Sequence, residues 1–170
     1  MENGERFIWA LEIMQIKGGD NVLEIGCGVG MSVELIAAKL KDGRIVAIDR
    51  SQSMIDKAMK RNDEYLKNGK VRFSTSELTT FSSNHLFDKI FCFNVNLFWT
   101  KKSVAPEVKV IRTHLSGNGS FYTFFGPMFA GGHKKIVDPV RSNLEQEAFQ
   151  VLDIIHEKKN NCCCFISRPK

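Results

Sequence analysis

The sequence predicts an α/β fold, a doubly wound and mostly parallel sheet with helices on both faces. Three observations predict it. Residues 22–25 read as a short buried strand, three glycines follow at alternate positions (Gly26, Gly28, Gly30), and Val33, Ile36, Ala37 and Leu40 then recur at helical spacing. Strand-like and helix-like segments go on alternating along the chain. The second strand, 44–49, ends on an acid, Asp49, about 20 residues after the glycine turn, where doubly wound folds meet the hydroxyls of a ribose.

Size and composition fit a single domain over residues 1–170. The 43% hydrophobic and 25% charged content is that of a globular chain. No apolar run approaches the ~20 residues of a membrane span, and the N-terminus Met1-Glu2-Asn3-Gly4-Glu5 is polar and acidic, so neither a membrane anchor nor a secretory signal is expected. The net charge of +5 permits nucleic-acid binding without implying it, because the lysines and arginines are scattered. Five cysteines, three of them adjacent (Cys162, Cys163, Cys164), form no metal-binding spacing. Neighbouring strand residues point to opposite faces. The cysteines are therefore expected to be reduced thiols of a cytoplasmic protein, with no metal site and with Cys27 a small turn residue.

The elements follow in order. Residues 5–17 form a helix with Phe7, Leu11 and Met14 on one face, ended by Gly18-Gly19. The glycine turn and its helix run to Leu40, and Asp42-Gly43 turns into the second strand. Ser51 is an N-cap for a helix reaching Leu66, with Ile55, Ala58, Met59, Asn62, Tyr65 and Leu66 inward. Asn68-Gly69 stops it, and 71–75 is the third strand. A Ser/Thr-rich loop over 79–86 leads to the fourth strand, 87–94. A helix from Ser103 tolerates Pro106 in its first turn and buries Val108, Ile111 and Leu115. Residues 116–119 read as a turn and 120–125 as the fifth strand. A loop over 126–141 precedes the capping box Ser142-x-x-Glu145. That box is expected to open a helix with Leu144, Ala148, Val151, Leu152 and Ile155 inward. Residues 162–167 form the last strand.

The ligand class is decided by spacing. The dinucleotide fingerprint G-x-G-x-x-G places its third glycine five positions after the first. Here Gly30 follows Gly26 by four, Met occupies position 31, and Glu24 precedes the first glycine by two. The pattern Glu24-x-Gly26-x-Gly28-x-Gly30 resembles the first motif of the class I S-adenosylmethionine (SAM) dependent methyltransferases. The stretch from Asp49 through Ser51 and Met54 to Ala58 resembles their second, and Phe87-Asp88 leading to Asn94 resembles the opening of their fourth strand. The resemblance covers about residues 20–125.

It implies a Rossmann-like sheet of order 3-2-1-4-5 with the terminal strand beside strand five. It also implies methyl transfer from SAM by direct displacement, with the cofactor held by Glu24, Gly26, Cys27, Gly28, Gly30, Asp49, Arg50, Met54, Glu77, Leu78 and Asn94. Asp49 would accept the ribose hydroxyls, Met54 would pack on the adenine, and Glu77 aligns with the acid that takes the adenine amino group. The N–H of Leu78 would serve the ring, and Asn94 with its neighbouring backbone the amino acid moiety. Phe98 and Trp99 either line the methyl-transfer pocket or cover the core. His133 is a candidate base. The family closes its sheet with a two-stranded hairpin, whereas this chain reads as having room for one strand, an abbreviated edge. The absence of Asn-Pro-Pro-Tyr argues against the amino-methyltransferases of DNA bases. A small-molecule acceptor is expected first, with RNA or protein as other acceptor classes. The alternative class is a SAM-binding sensor or partner subunit without catalysis; a nicotinamide enzyme is disfavoured by the glycine spacing.

Overall fold

A computed structural model describes residues 4–126, 132–158 and 161–170, with the side chains of 132–134 excluded. The strands are β1 (Asn21–Ile25), β2 (Arg44–Asp49), β3 (Val71–Thr75), β4 (Phe87–Phe93), β5 (Leu115–Phe125), β6 (Phe149–Glu157) and β7 (Cys162–Pro169). The helices are α1 (Glu5–Met14), α2 (Met31–Lys39), α3 (Gln52–Arg61), α4 (Asp63–Lys67), α5 (Leu97–Thr100), α6 (Ala105–His114) and α7 (Gly132–Gln146), and a 3₁₀ turn covers Leu78–Thr80. They build one seven-stranded sheet of order β3-β2-β1-β4-β5-β7-β6. The first five strands are parallel and β7 runs antiparallel to both β5 and β6.

Alternation along the strands divides the core into two layers. Leu23, Ile25, Ile90, Cys92, Phe121 and Phe165 face one way, against Val108 and Ile111 of α6 and Val140 and Leu144 of α7. Val22, Ile45, Ala47, Phe91, Phe124 and Cys164 face the other way, against α1, α2 and α3 through Phe7, Leu11, Val33, Ile36 and Ile55. Cys163 and Cys164 fall in opposite layers, which rules out a shared metal cage for the triplet. Among the described residues no group of ligating side chains could hold a metal, and no helix is long and apolar enough to cross a membrane. At the base of the sheet Asp88 ties three strands together. Its carboxylate accepts the Asn21 N–H of β1 at 2.9 Å and the Ser116 hydroxyl of β5 at 3.2 Å.

The order through strand five, and β7 beside β5, agree with expectation. Several expectations are corrected. Residues 149–157 form a strand, not a helix. Val151 and Ile155 lie four apart, a spacing that both a helical turn and an even strand period satisfy. Leu152, expected inward, is exposed. Ala148 takes a left-handed φ of 57°, which ends α7 and turns the chain into β6. The sheet edge is therefore complete, a two-stranded hairpin of β6 and β7. Helix α7 begins at Gly132, so Ser142 is inside it and not its cap. The Ser142 hydroxyl accepts from the Gln146 amide at 3.1 Å. Part of the segment expected as a loop is thus helical, and residues 127–131 of it lie outside the described residues. The first helix ends at Met14, with Gln15 left-handed at its C-cap. Met59 is exposed, and Asn62 separates α3 from α4. Residues 116–119 belong to β5, whose pairing with β4 shifts register between Phe87 and Lys89.

Phe149 anchors the hairpin. It is fully buried and its ring meets Phe121 edge-on at 6.3 Å. Phe149→Ala is expected to lower unfolding stability by about 3–5 kcal/mol, read as a reduced urea midpoint. A change under ~1 kcal/mol would contradict the packing of β6 onto the core.

Candidate functional site

A cavity of about 510 Å³ opens at the carboxyl ends of the parallel strands, the place where open α/β sheets bind ligands. Its walls come from the ends of β1 (Ile25, Gly26) and β2 (Ile48, Asp49, Arg50), the segment after β3 (76–79) and the segment after β4 (93–97), with Thr100, Lys101 and Glu107 closing one side.

The glycine turn is built by close approach. The N–H groups of Gly26 and Cys27 both donate to the Ile48 carbonyl of β2, at 2.8 and 3.1 Å. Gly26 has φ +75°, and a Cβ there would sit 2.8 Å from Val95 Cγ2. Gly30 has φ +73° and caps α2, and a Cβ there would meet Ala58 Cβ at 2.9 Å. Both positions need glycine for conformation and for room. The Asn62 amide locks the second contact, donating to the carbonyls of Gly30 (3.1 Å) and Ala58 (2.9 Å).

Asp49 holds this turn. One carboxylate oxygen accepts the Gly28 N–H at 3.0 Å and the other accepts the Ser51 N–H at 2.9 Å. A carboxylate offers about four acceptor positions, so two remain for a ligand's hydroxyls. Ser51 in turn caps α3, its hydroxyl accepting the Met54 N–H at 3.4 Å. Across the cavity the Glu77 carboxylate is exposed and makes no bond or ion pair among the described residues. The N–H of Leu78 has no acceptor there either. A donor-and-acceptor edge is thus left open beside Leu78, the pattern a purine amine and ring nitrogen would complete.

The structure does not place all the expected residues on the wall. Gly26, Asp49, Arg50, Glu77, Leu78 and Asn94 line it; Glu24, Cys27, Gly28, Gly30 and Met54 do not. Cys27 is buried against the core under α2, and burial pushes its thiol well above the usual range. Asn94 sits in the left-handed region (φ 55°). Its side chain clasps Gly126, donating to the carbonyl at 2.7 Å and accepting the N–H at 2.9 Å. Phe98 is fully buried against Phe121 at 5.4 Å, and Trp99 meets Phe125 edge-on at 5.0 Å, so both cover the core. His133 lies in the first turn of α7, its side chain outside the described residues.

Sequence reasoning missed the pair Lys101–Glu107 on the far wall. Lys101 Nζ donates to Glu107 Oε1 at 2.5 Å, while Glu107 is almost wholly buried and its second oxygen has no partner among the described residues. The two residues are six apart across the start of α6, a separation that places no two residues on one face of a helix. A carboxylate two residues into a helix signals only a favourable helix terminus.

Glu24 lies beneath the turn. It is 1% exposed; one oxygen accepts the Ser32 hydroxyl of α2 at 2.5 Å and the other has no partner among the described residues. Burial pushes its carboxyl up to about 8; the Ser32 bond opposes the shift and the nearby Asp49 charge adds to it. The folded value lies above that of an unfolded chain (~4.3). Folding therefore favours the protonated form, and the stability this confers is complete below the unfolded value and is lost as pH rises through about 8. The urea midpoint of the parent should therefore fall between pH 5 and pH 8. The neutral isostere Glu24→Gln should fall less over the same range, whereas parallel curves would show that Glu24 does not titrate in this way.

A family model described as a methyltransferase domain matches residues 22–119. The Bacillus subtilis (strain 168) protein named "Putative methyltransferase YrhH" is 25% identical over 157 residues, covering 92% of this chain and 82% of that protein. The (S)-coclaurine N-methyltransferase of Thalictrum flavum subsp. glaucum is 30% identical over 115 residues, covering 65% of this chain but only 30% of that protein. Among solved structures, the N-methyltransferase NodS from Bradyrhizobium japonicum WM9, in complex with S-adenosyl-L-homocysteine, superposes with a TM-score of 0.72 at 18% identity. That match covers 97% of this chain and 86% of the other, and it shows a common fold. With more than half its length matched by the family model, this chain belongs to the methyltransferase-domain family.

Proposed function

We propose that the cavity binds SAM and that the protein transfers its methyl group to a small-molecule acceptor. One observation carries the reading. Asp49, with acceptor capacity to spare beside the glycine turn, faces an unengaged Glu77 carboxylate and Leu78 N–H across a cavity of about 510 Å³. Ribose hydroxyls suit the first and an adenine edge suits the second. The volume falls within the range of small-molecule sites, roughly 300–1,000 Å³. When bound, SAM supplies an electrophilic methyl on a sulfonium.

The chain's own contribution is binding and orientation. Gly26 lets the backbone approach without a side chain, and the clasp between Asn94 and Gly126 fixes the ends of β4 and β5 beside it. Phe93, Val95 and Leu97 contribute to the apolar part of the cavity wall. Holding acceptor and methyl in line can supply ~7–11 kcal/mol of the barrier. The small-molecule class of acceptor is supported by the N-methyltransferase names of a relative and a structural neighbour. Cys27, Cys92 and Cys164 are buried thiols, which supports a reducing, cytoplasmic location. The complete sheet edge takes away one ground for a non-catalytic role.

Calorimetry should show binding of SAM and of S-adenosylhomocysteine, and no binding of either at millimolar ligand would end the reading. Glu77→Ala should weaken SAM binding roughly tenfold, the worth of one hydrogen bond to a charged group. It should leave the unfolding midpoint unchanged, since that carboxylate holds nothing in the fold. Asp49→Ala should weaken binding by at least ~10-fold and also lower stability, because it releases Gly28 and Ser51. Transfer of labelled methyl from SAM into fractionated small molecules separates enzyme from sensor; binding without any transfer would leave only the latter.

A further inference from the structure

The second large cavity lies outside this site. It covers about 550 Å³ along the outer two strands, β2 and β3, and runs under the segment 80–85. Its origin is topological. The link from β3 to β4 contains one 3₁₀ turn and no α-helix, while α2, α3 and α4 all pack on the opposite layer. The β2–β3 face is therefore left open beyond Phe81, whose buried ring plugs the core beside Phe87 and His114.

The open face carries charge of one sign. Register pairs Ile45 with Val71 and Val46 with Arg72. Arg44, Val46, Arg72 and Ser74 therefore share that face. At ~4.8 Å between strands and ~3.3 Å per residue, the Arg44 and Arg72 α-carbons stand roughly 8 Å apart. Both side chains are exposed, and neither makes an ion pair or a side-chain hydrogen bond among the described residues. His85 faces the same cavity, and Ser74, Thr80 and Ser82 add hydroxyls. No aspartate or glutamate lines it. Two guanidiniums side by side repel each other unless an anion lies between them. Their forked donors match the oxygens of a phosphate.

We propose that this groove is a second ligand site, taking a small phosphorylated molecule whose phosphate bridges Arg44 and Arg72. The size fits such a ligand. The hydroxyls offer partners to the rest of a polar ester. A single-stranded nucleic acid is disfavoured because Phe81, the one Phe, Tyr or Trp of the lining, is buried, which leaves His85 as the only exposed ring where a run of bases needs several stacking faces. The site does not depend on what the methyltransferase cavity binds.

The test is an amide-shift titration of the isotopically labelled full chain at 0.15 M salt, with inorganic pyrophosphate and with glucose 6-phosphate. Glucose and a ten-nucleotide single-stranded RNA are the comparators. Saturable shifts at residues 44, 72, 74 and 80–85 are expected with both phosphate probes and not with glucose. Arg44→Gln and Arg72→Gln should each weaken binding at least ~10-fold, one decade being about 1.4 kcal/mol, and the double variant should abolish it. Unfolding midpoints should stay at the parental value, since both side chains are exposed. Absence of saturable shifts in the parent, shifts that persist in the double variant, or binding of the RNA while both phosphate probes fail would each overturn the proposal.

Discussion

The carboxylate of Asp49 is the constraint on which the functional end of this molecule depends. It ends β2, yet it grips the backbone of two other elements, the glycine turn through Gly28 and the start of α3 through Ser51. Charge-assisted bonds of this kind are worth roughly 1.5–3 kcal/mol each. Around that clasp the turn is held from further sides. Gly26 is pressed against Val95 after β4, and Gly30 against Ala58 of α3. The turn therefore leaves β1 with its course already set, as a binding site needs if ligand affinity is not to be spent on ordering it. Sequence reasoning assigns Asp49 to a ligand alone. The structure adds that the same group builds the site it serves.

The parallel half of the sheet was legible because β1, β2 and β4 are short apolar runs bounded by turns, and β1 and β2 are followed by helices of a distinct period. Of the antiparallel edge, β7 was legible and β6 was not. Val151 and Ile155 fit a helix and a strand equally, and Ser142-x-x-Glu145 has the letters of a capping box while lying within α7. What separates them is Ala148 in a left-handed conformation, which an alanine does not announce. The site divided in the same manner. Residues whose role follows from backbone geometry at strand ends, such as Gly26, Asp49 and Leu78, came to the cavity. Of those named only by position within a motif, Glu24 is buried and Met54 is not on the wall. Lys101 and Glu107 come from a loop and a helix brought together by tertiary folding, and no local pattern links them.

The two faces of the sheet are covered unequally, and the inequality shapes the surface. On one face α1, α2 and α3 cover the central strands and reach β3. On the other, α6 and α7 cover β4, β5 and β7 but leave β2 and β3 without a helix. A short link after β3 thus does two things. It places Glu77 and Leu78 at the rim of one cavity, and it exposes the basic face that lines the other. Ser76 belongs to both walls, so the segment that frames the adenine side of the proposed SAM site also borders the groove of Arg44 and Arg72.

Charge separates these two cavities more sharply than the overall composition suggests. The chain carries a net +5, yet the strand-end cavity is bordered by three carboxylates, Asp49, Glu77 and Glu107, against two cations, Arg50 and Lys101, with Glu24 buried just beneath its turn. Lys101, the nearest cation to Glu107, is spent on that carboxylate. Burial holds Glu24 towards its neutral form and the Asp49 charge pushes it the same way, while Asp49 and Glu77 place their carboxylates at the cavity wall. A ligand bearing positive charge, as the sulfonium and ammonium of SAM do, suits those carboxylates, whereas an anionic dinucleotide would be repelled by them. The glycine spacing and the acidic groups of the folded site therefore disfavour the same competitor on independent grounds, one local to the sequence, the other assembled only when folding brings Asp49 and Glu77 to one cavity.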